Sequence, residues 1–124
     1  MSAIAVFKGP DVYGTLTFKT ENNIVRIYTD LSGPGLIPNK YQSFYFHEYG
    51  DIRNECKNIG DVCSRHLLNI DVFGNAKYST SSNIIQLSGP YSIIGKSIII
   101  YQNCENCGNA GKRIACAVIG IAND

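Results

Sequence analysis

Gly108-Asn109-Ala110-Gly111-Lys112-Arg113-Ile114-Ala115-Cys116-Ala117-Val118-Ile119-Gly120-Ile121-Ala122 is the stretch on which the fold reading turns. A glycine-punctuated turn runs into a short apolar segment, Ile114 to Ile121, with no helical stripe, which reads as a strand. Working outward, Ile93 to Tyr101, Ile84 to Leu87, Tyr78 and Leu67 to Val72 read the same way, the last closed by a Phe73-Gly74-Asn75 turn. Glu48 to Arg65 is irregular and holds Gly50, Gly60 and two cysteines. Before it, Tyr41 to His47 alternates with a period of two, sending Tyr41, Ser43, Tyr45 and His47 to one face and Phe44 and Phe46 to the other. Towards the N-terminus, Val25, Ile27 and Thr29 share one face, Val12 to Thr20 alternates around Leu16 and Phe18 before a Glu21-Asn22-Asn23 turn, and Ala3 to Lys8 is a short apolar strand. Regularly spaced short strands predict an all-β antiparallel sandwich or barrel.

The 124 residues fit a single domain, 1–124, able to bury a core without metal or disulfide staples. With 11 basic against 10 acidic residues the net charge is +1, which argues against electrostatic binding to nucleic acid or an acidic membrane. No apolar run approaches the ~20 residues of a membrane span, and Met1 to Lys8 lacks the basic start of a signal peptide, so a soluble, unexported protein is expected. Five cysteines are too few for a disulfide scaffold, and their odd number leaves at least one unpaired within the chain. In a non-secreted protein the default reading is free thiols.

Three stretches together resemble the Cu/Zn superoxide dismutase family. Phe44-Tyr45-Phe46-His47-Glu48-Tyr49-Gly50-Asp51 is similar to its copper motif, Leu87-Ser88-Gly89 through Ile93-Ile94-Gly95-Lys96 to a strand and turn, and the C-terminal stretch quoted above to its C-terminal signature. The resemblance implies an eight-stranded antiparallel Greek-key β-barrel or sandwich, usually a homodimer, with metals held between two long loops. Four histidines bind copper in the family, one bridging to zinc, and two further histidines and an aspartate complete the zinc shell. This chain has two histidines. His47 stands at one copper position, Tyr45 and Tyr101 stand where two others belong, and Arg113 aligns with the arginine that guides superoxide. Only 18 residues separate His47 from His66, so the resemblance implies a shortened zinc loop, and Gln102 to Gly111 a shortened electrostatic loop. Arg65-His66 is similar to the last zinc histidine but lacks the Gly-Asp that should follow, and reads as a misalignment.

Phenols with an ordinary pKa near ~10 must lose a proton to bind copper well and favour the oxidised ion, so two tyrosines and one histidine make a poor redox site. No catalytic residue, metal or cofactor is therefore expected; Tyr45 and Tyr101 fill the vacated site, and Arg113 is expected to hydrogen-bond the loop around Cys56. The resemblance also implies a disulfide between Cys56 and Cys116, tying that loop to the last strand. Of the remaining cysteines, Cys63-Ser64-Arg65-His66 is a C-x-x-H and Cys104-Glu105-Asn106-Cys107 a C-x-x-C, which leaves a replacement zinc site open beside free thiols or an incidental disulfide.

Loss of ligands with retention of the barrel is similar to the catalytically inactive poxvirus superoxide dismutase-like proteins. The family's dimer interface corresponds to Tyr49, Gly50, Asp51 and Ile52, to Ile93, Ile94 and Gly95, and to Val118, Ile119, Gly120 and Ile121, some of which also read as core strand. The expected function is a non-enzymatic binding, decoy or virion protein in the cytoplasm of an infected cell or in the virion. Its partner would be a second copy, a host dismutase, or the copper chaperone for superoxide dismutase. A weak metal-dependent dismutase is the alternative.

Overall fold

The computed structural model describes residues 1–104 and 110–123. Eight strands follow one another: β1 (Ser2–Lys8), β2 (Tyr13–Glu21), β3 (Ile24–Ser32), β4 (Tyr41–His47), β5 (Val62–Asn69), β6 (Ser79–Ser82), β7 (Ser97–Tyr101) and β8 (Arg113–Ile121). They form one antiparallel sheet in the order β5-β4-β7-β8-β1-β2-β3-β6. Neighbours that are distant in sequence, β8 with β1 and β4 with β7, give the Greek-key connectivity. The sheet curls so that its inner face closes on Phe7, Leu16, Phe18, Phe46, Ile98 and Ile100, all buried.

Local chemistry sets the turns. Asn22 and Asn23 both have positive φ, 51° and 66°, and join β2 to β3 as a two-residue hairpin with Glu21 opposite Ile24. Asparagine tolerates this left-handed backbone, and two such residues match the twist of the flanking strands. After β5, Asp71 Oδ1 accepts hydrogen bonds from the amides of Phe73 and Asn75, both at 2.9 Å, which turns the chain towards β6.

β4 is buried on both faces from Gln42 to His47. Its inward residues Phe44 and Phe46 join the main core, while Tyr45 faces outward with Ile99 and Tyr101 beneath a loop that inserts Ile59. That loop folds back on itself: Glu48 N donates to Asp61 O at 3.0 Å, Tyr49 N to Ile59 O at 2.8 Å, and Asp61 N to Glu48 Oε1 at 2.7 Å.

The strand bounds correct the sequence reading in three places. β5 begins at Val62, inside the stretch expected to be irregular, because pairing with β4 from His47 to Tyr41 recruits polar residues that carry no apolar alternation. β6 is the all-polar Ser79–Ser82, paired with Val25 to Tyr28 of β3. Ile84 to Leu87 instead sends Ile85 and Leu87 into the core from a connecting segment. β7 starts only at Ser97, because Gly95, at φ 88°, turns the backbone after Ile93 and Ile94. No helix among the described residues is long and apolar enough to cross a membrane.

Candidate functional site

The outer face of β4 and β7 collects the residues singled out in the copper motif. Antiparallel pairing sets Tyr45 opposite Ile99 and His47 opposite Ser97, and two steps along β7 from Ile99 places Tyr101 on the same face. The Tyr45 and Tyr101 rings lie 4.7 Å apart at 47°. His47 Nδ1 is 3.0 Å from the carbonyl oxygen of Gly60, and Nε2 is 3.0 Å from the Tyr101 hydroxyl. A carbonyl only accepts, so Nδ1 carries the proton and Nε2 accepts from Tyr101. The imidazole thus bridges the covering loop to the barrel, and both of its nitrogens are engaged.

Burial holds this pair neutral. Burial lowers the His47 pKa against the opposing hydrogen bond to Gly60, and Arg113 and Arg65 push the same way as burial. Burial raises the Tyr101 pKa, with Arg113 pulling back. The Arg65 guanidinium, from the β5 residue paired with Tyr45, stands 5.4 Å above the Tyr45 ring, a cation–π arrangement. Arg113 donates from Nη1 to the carbonyl of Cys56 at 2.9 Å. Cys56 itself is disulfide-bonded to Cys116 across 6.6 Å between Cα atoms, joining the loop to β8.

The loop around Cys56 has an unusual backbone. Asn54, Glu55 and Cys56 take consecutive positive φ values of 54°, 57° and 61°. Side chains with a Cβ disfavour this region by about 1–2 kcal/mol per residue, so the turn needs anchoring from outside itself. The disulfide, the Arg113 contact and a hydrogen bond from Cys56 N to Ile52 O at 3.2 Å supply it.

These residues do not suit copper. The donor set is one imidazole with both nitrogens engaged and two phenols, one of them pushed away from its anionic form, beside two guanidinium cations. Copper wants several free imidazoles or anionic donors in an uncrowded shell. Nor, among the described residues, does the alternative cluster assemble. Cys63 and His66 both lie on β5 three residues apart, so the strand's alternation sends them to opposite faces: Cys63 is exposed, while His66 stacks on Phe44 at 5.2 Å. Cys104 is buried and disulfide-bonded, which removes its thiolate. Cys107 lies outside the described residues. No group of three His, Cys, Asp or Glu side chains among the described residues is placed to hold a metal ion.

The residues expected at an interface divide. Tyr49, Ile52, Val118 and Ile121 are exposed, and Gly50 lies against Gly95 and Val118, so the three segments do meet. Ile93 and Ile119 are instead core residues, 5% and 1% exposed, because alternation from Val118 and the turn before Gly95 point them inward. Ile94 is half-buried against the core, Gly120 is half-buried with room for a Cβ, and Asp51 is tied to Arg53 through two side-chain hydrogen bonds of 2.8 and 2.6 Å. Arg65 and the Gly60 carbonyl were not foreseen in the sequence. Extending β5 back to Val62 would have revealed Arg65, since it pairs directly with Tyr45.

A family model described as copper/zinc superoxide dismutase matches residues 64–119. A copper–zinc superoxide dismutase of Paramecium bursaria Chlorella virus 1 is 36% identical, the alignment covering 100% of this chain and 80% of the relative. This chain belongs to the copper/zinc superoxide dismutase family. Relatives of the same name from Neurospora crassa, at 32% identity over 98% of this chain and 99% of theirs, and from Saccharomyces cerevisiae, at 30% over 99% of each, extend the match. The alignment to the viral superoxide dismutase runs over 153 positions although the chain has 124 residues, so that relative carries segments that this member lacks. Within the superoxide dismutase fold, the outer face of β4 and β7 is here built from an aromatic pair and a doubly bonded histidine.

Proposed function

We propose that this chain is a catalytically inactive superoxide dismutase homologue that works by binding other proteins. The observation that carries the reading is His47, whose two ring nitrogens are committed to Gly60 and Tyr101 with no second imidazole on that face. For copper to use Nε2, the Tyr101 hydroxyl must leave, and the metal would then meet phenols and two arginines. The exposed set Tyr49, Ile52 and Val118, grouped around Gly50 and Gly95, supports a docking surface for a second copy or for a partner of the same fold, a dismutase or its copper chaperone. The viral relative supports an origin in an infected cell, with the cytoplasm or the virion as the site of action.

Two experiments test this. Protein offered copper and zinc, then freed of excess ion, should carry no stoichiometric metal and should consume superoxide no faster than buffer. Stoichiometric copper with dismutation would replace the reading with a weak dismutase, an alternative supported by the names of the relatives and by His47 and Arg113 holding family positions. Sedimentation should give a dimer for the isolated protein or for its mixture with a dismutase or chaperone, lost in Val118→Glu; monomers in every mixture would remove the binding surface.

A further inference from the structure

The curled sheet ends in two outer strands, β5 and β6, each paired on one side only. Between them lies a cleft of about 440 Å³. Its lining carries no Asp, Glu, Lys or Arg among the described residues. The floor is apolar, with Ile27 and Phe44, and His66 rises from β5 stacked on Phe44 at 27°. His66 Nε2 is 3.0 Å from Ser64 Oγ, which leaves Nδ1 without a hydrogen bond among the described residues. The facing wall is the hydroxyl-rich β6. Tyr78 closes one end, where its hydroxyl oxygen accepts from the Asn69 amide at 3.1 Å and keeps its proton to donate.

This combination selects a chemistry. A volume in the range of about 300–1,000 Å³, an apolar floor and a few convergent polar groups are the attributes of a small-molecule site. A charged ligand would find no counter-charge there and would lose hydration without compensation. A flat ring extends the aromatic stack, and ring heteroatoms meet the imidazole and the hydroxyls. We propose that the β5–β6 cleft binds an uncharged planar heteroaromatic molecule of one or two rings, packed along Phe44 and His66 and hydrogen-bonded to His66 and β6. Burial lowers the His66 pKa, so the ring remains neutral, and with Nε2 on Ser64 it offers the ligand Nδ1 alone, as donor or acceptor according to the tautomer. The site is separate from the outer face of β4 and β7 and does not depend on whether that face holds metal.

Benzimidazole is the probe, followed by amide NMR shifts at neutral pH, with the permanently charged 1,3-dimethylbenzimidazolium as the comparison. The expected result is saturable shifts centred on Phe44, His66 and Ile27, weakened about tenfold by His66→Ala and abolished by Thr80→Trp, which plugs the cleft from an exposed strand position opposite Ile27. The charged analogue should bind at least about tenfold more weakly. Thr80→Trp changes an exposed residue outside the core, so it remains informative if His66→Ala unfolds the protein. Shifts that do not saturate, that centre elsewhere, that persist in Thr80→Trp, or that are equal for the charged analogue would each overturn the proposal.

Discussion

Both ring nitrogens of His47 act on stability, one through the covering loop and one through Tyr101. Replacing Tyr101 by Phe keeps the ring against Tyr45 but leaves Nε2 as a buried acceptor without its donor. Such a loss costs about 1–3 kcal/mol, more than the net value of one hydrogen bond. Urea denaturation should therefore show a lower midpoint for Tyr101→Phe with an unchanged slope. Histidine titration gives a second prediction. His47 and His66 both have folded pKa values lowered by burial, below the ordinary value of about 6.5 that the unfolded chain regains. As pH falls, the unfolded state takes up protons first. Stability is thus fully present above the ordinary value and declines as pH drops from there through the folded values. The urea midpoint should fall between about pH 7.5 and pH 5.5, and His66→Phe should flatten part of that dependence.

At the level of elements, two glycines in strands make opposite demands. Gly14 on β2 has φ 123°, and a side chain there would run into the carbonyl of Asp30 on β3. Gly120 on β8 has open space around its Cα. Gly14→Ala should lower the thermal midpoint in line with a loss of about 1–3 kcal/mol, whereas Gly120→Ala should leave it unchanged or slightly raised, since alanine orders the unfolded chain less expensively than glycine. The difference between these two residues is invisible in the sequence, where both are single glycines among β-formers. β4 was legible from end to end because its aromatic alternation records burial on two faces. β5 and β6 were not, because Ser64, Arg65 and the Ser79–Ser82 run are placed by backbone pairing with β4 and β3, a long-range cause that leaves no local apolar period. At the site, Tyr45, His47 and Tyr101 could be found by family spacing, but the Gly60 carbonyl could not, because a backbone group carries no residue signature.

For the whole molecule, the bond between Cys56 and Cys116 spans 60 residues and holds the left-handed turn at Asn54 to Cys56 against β8. Closing a loop of that length is worth about 4 kcal/mol in the chain-entropy view. The double variant Cys56→Ser, Cys116→Ser should accordingly lose about 2–5 kcal/mol in equilibrium denaturation, and hydrogen exchange should rise first at Tyr49 and Asp61, whose amides hold the loop closed. The outer strands carry one more consequence. A sheet that stops at β5 and β6 has two rows of backbone groups able to template further strands, the starting condition for fibre growth. Here β6 is only four residues long and built from Ser and Thr, and β5 presents Arg65 outward, so each row is short or charged where an incoming chain would have to settle. The polarity that concealed these strands in the sequence is thus also what keeps neighbouring molecules from stacking edge to edge.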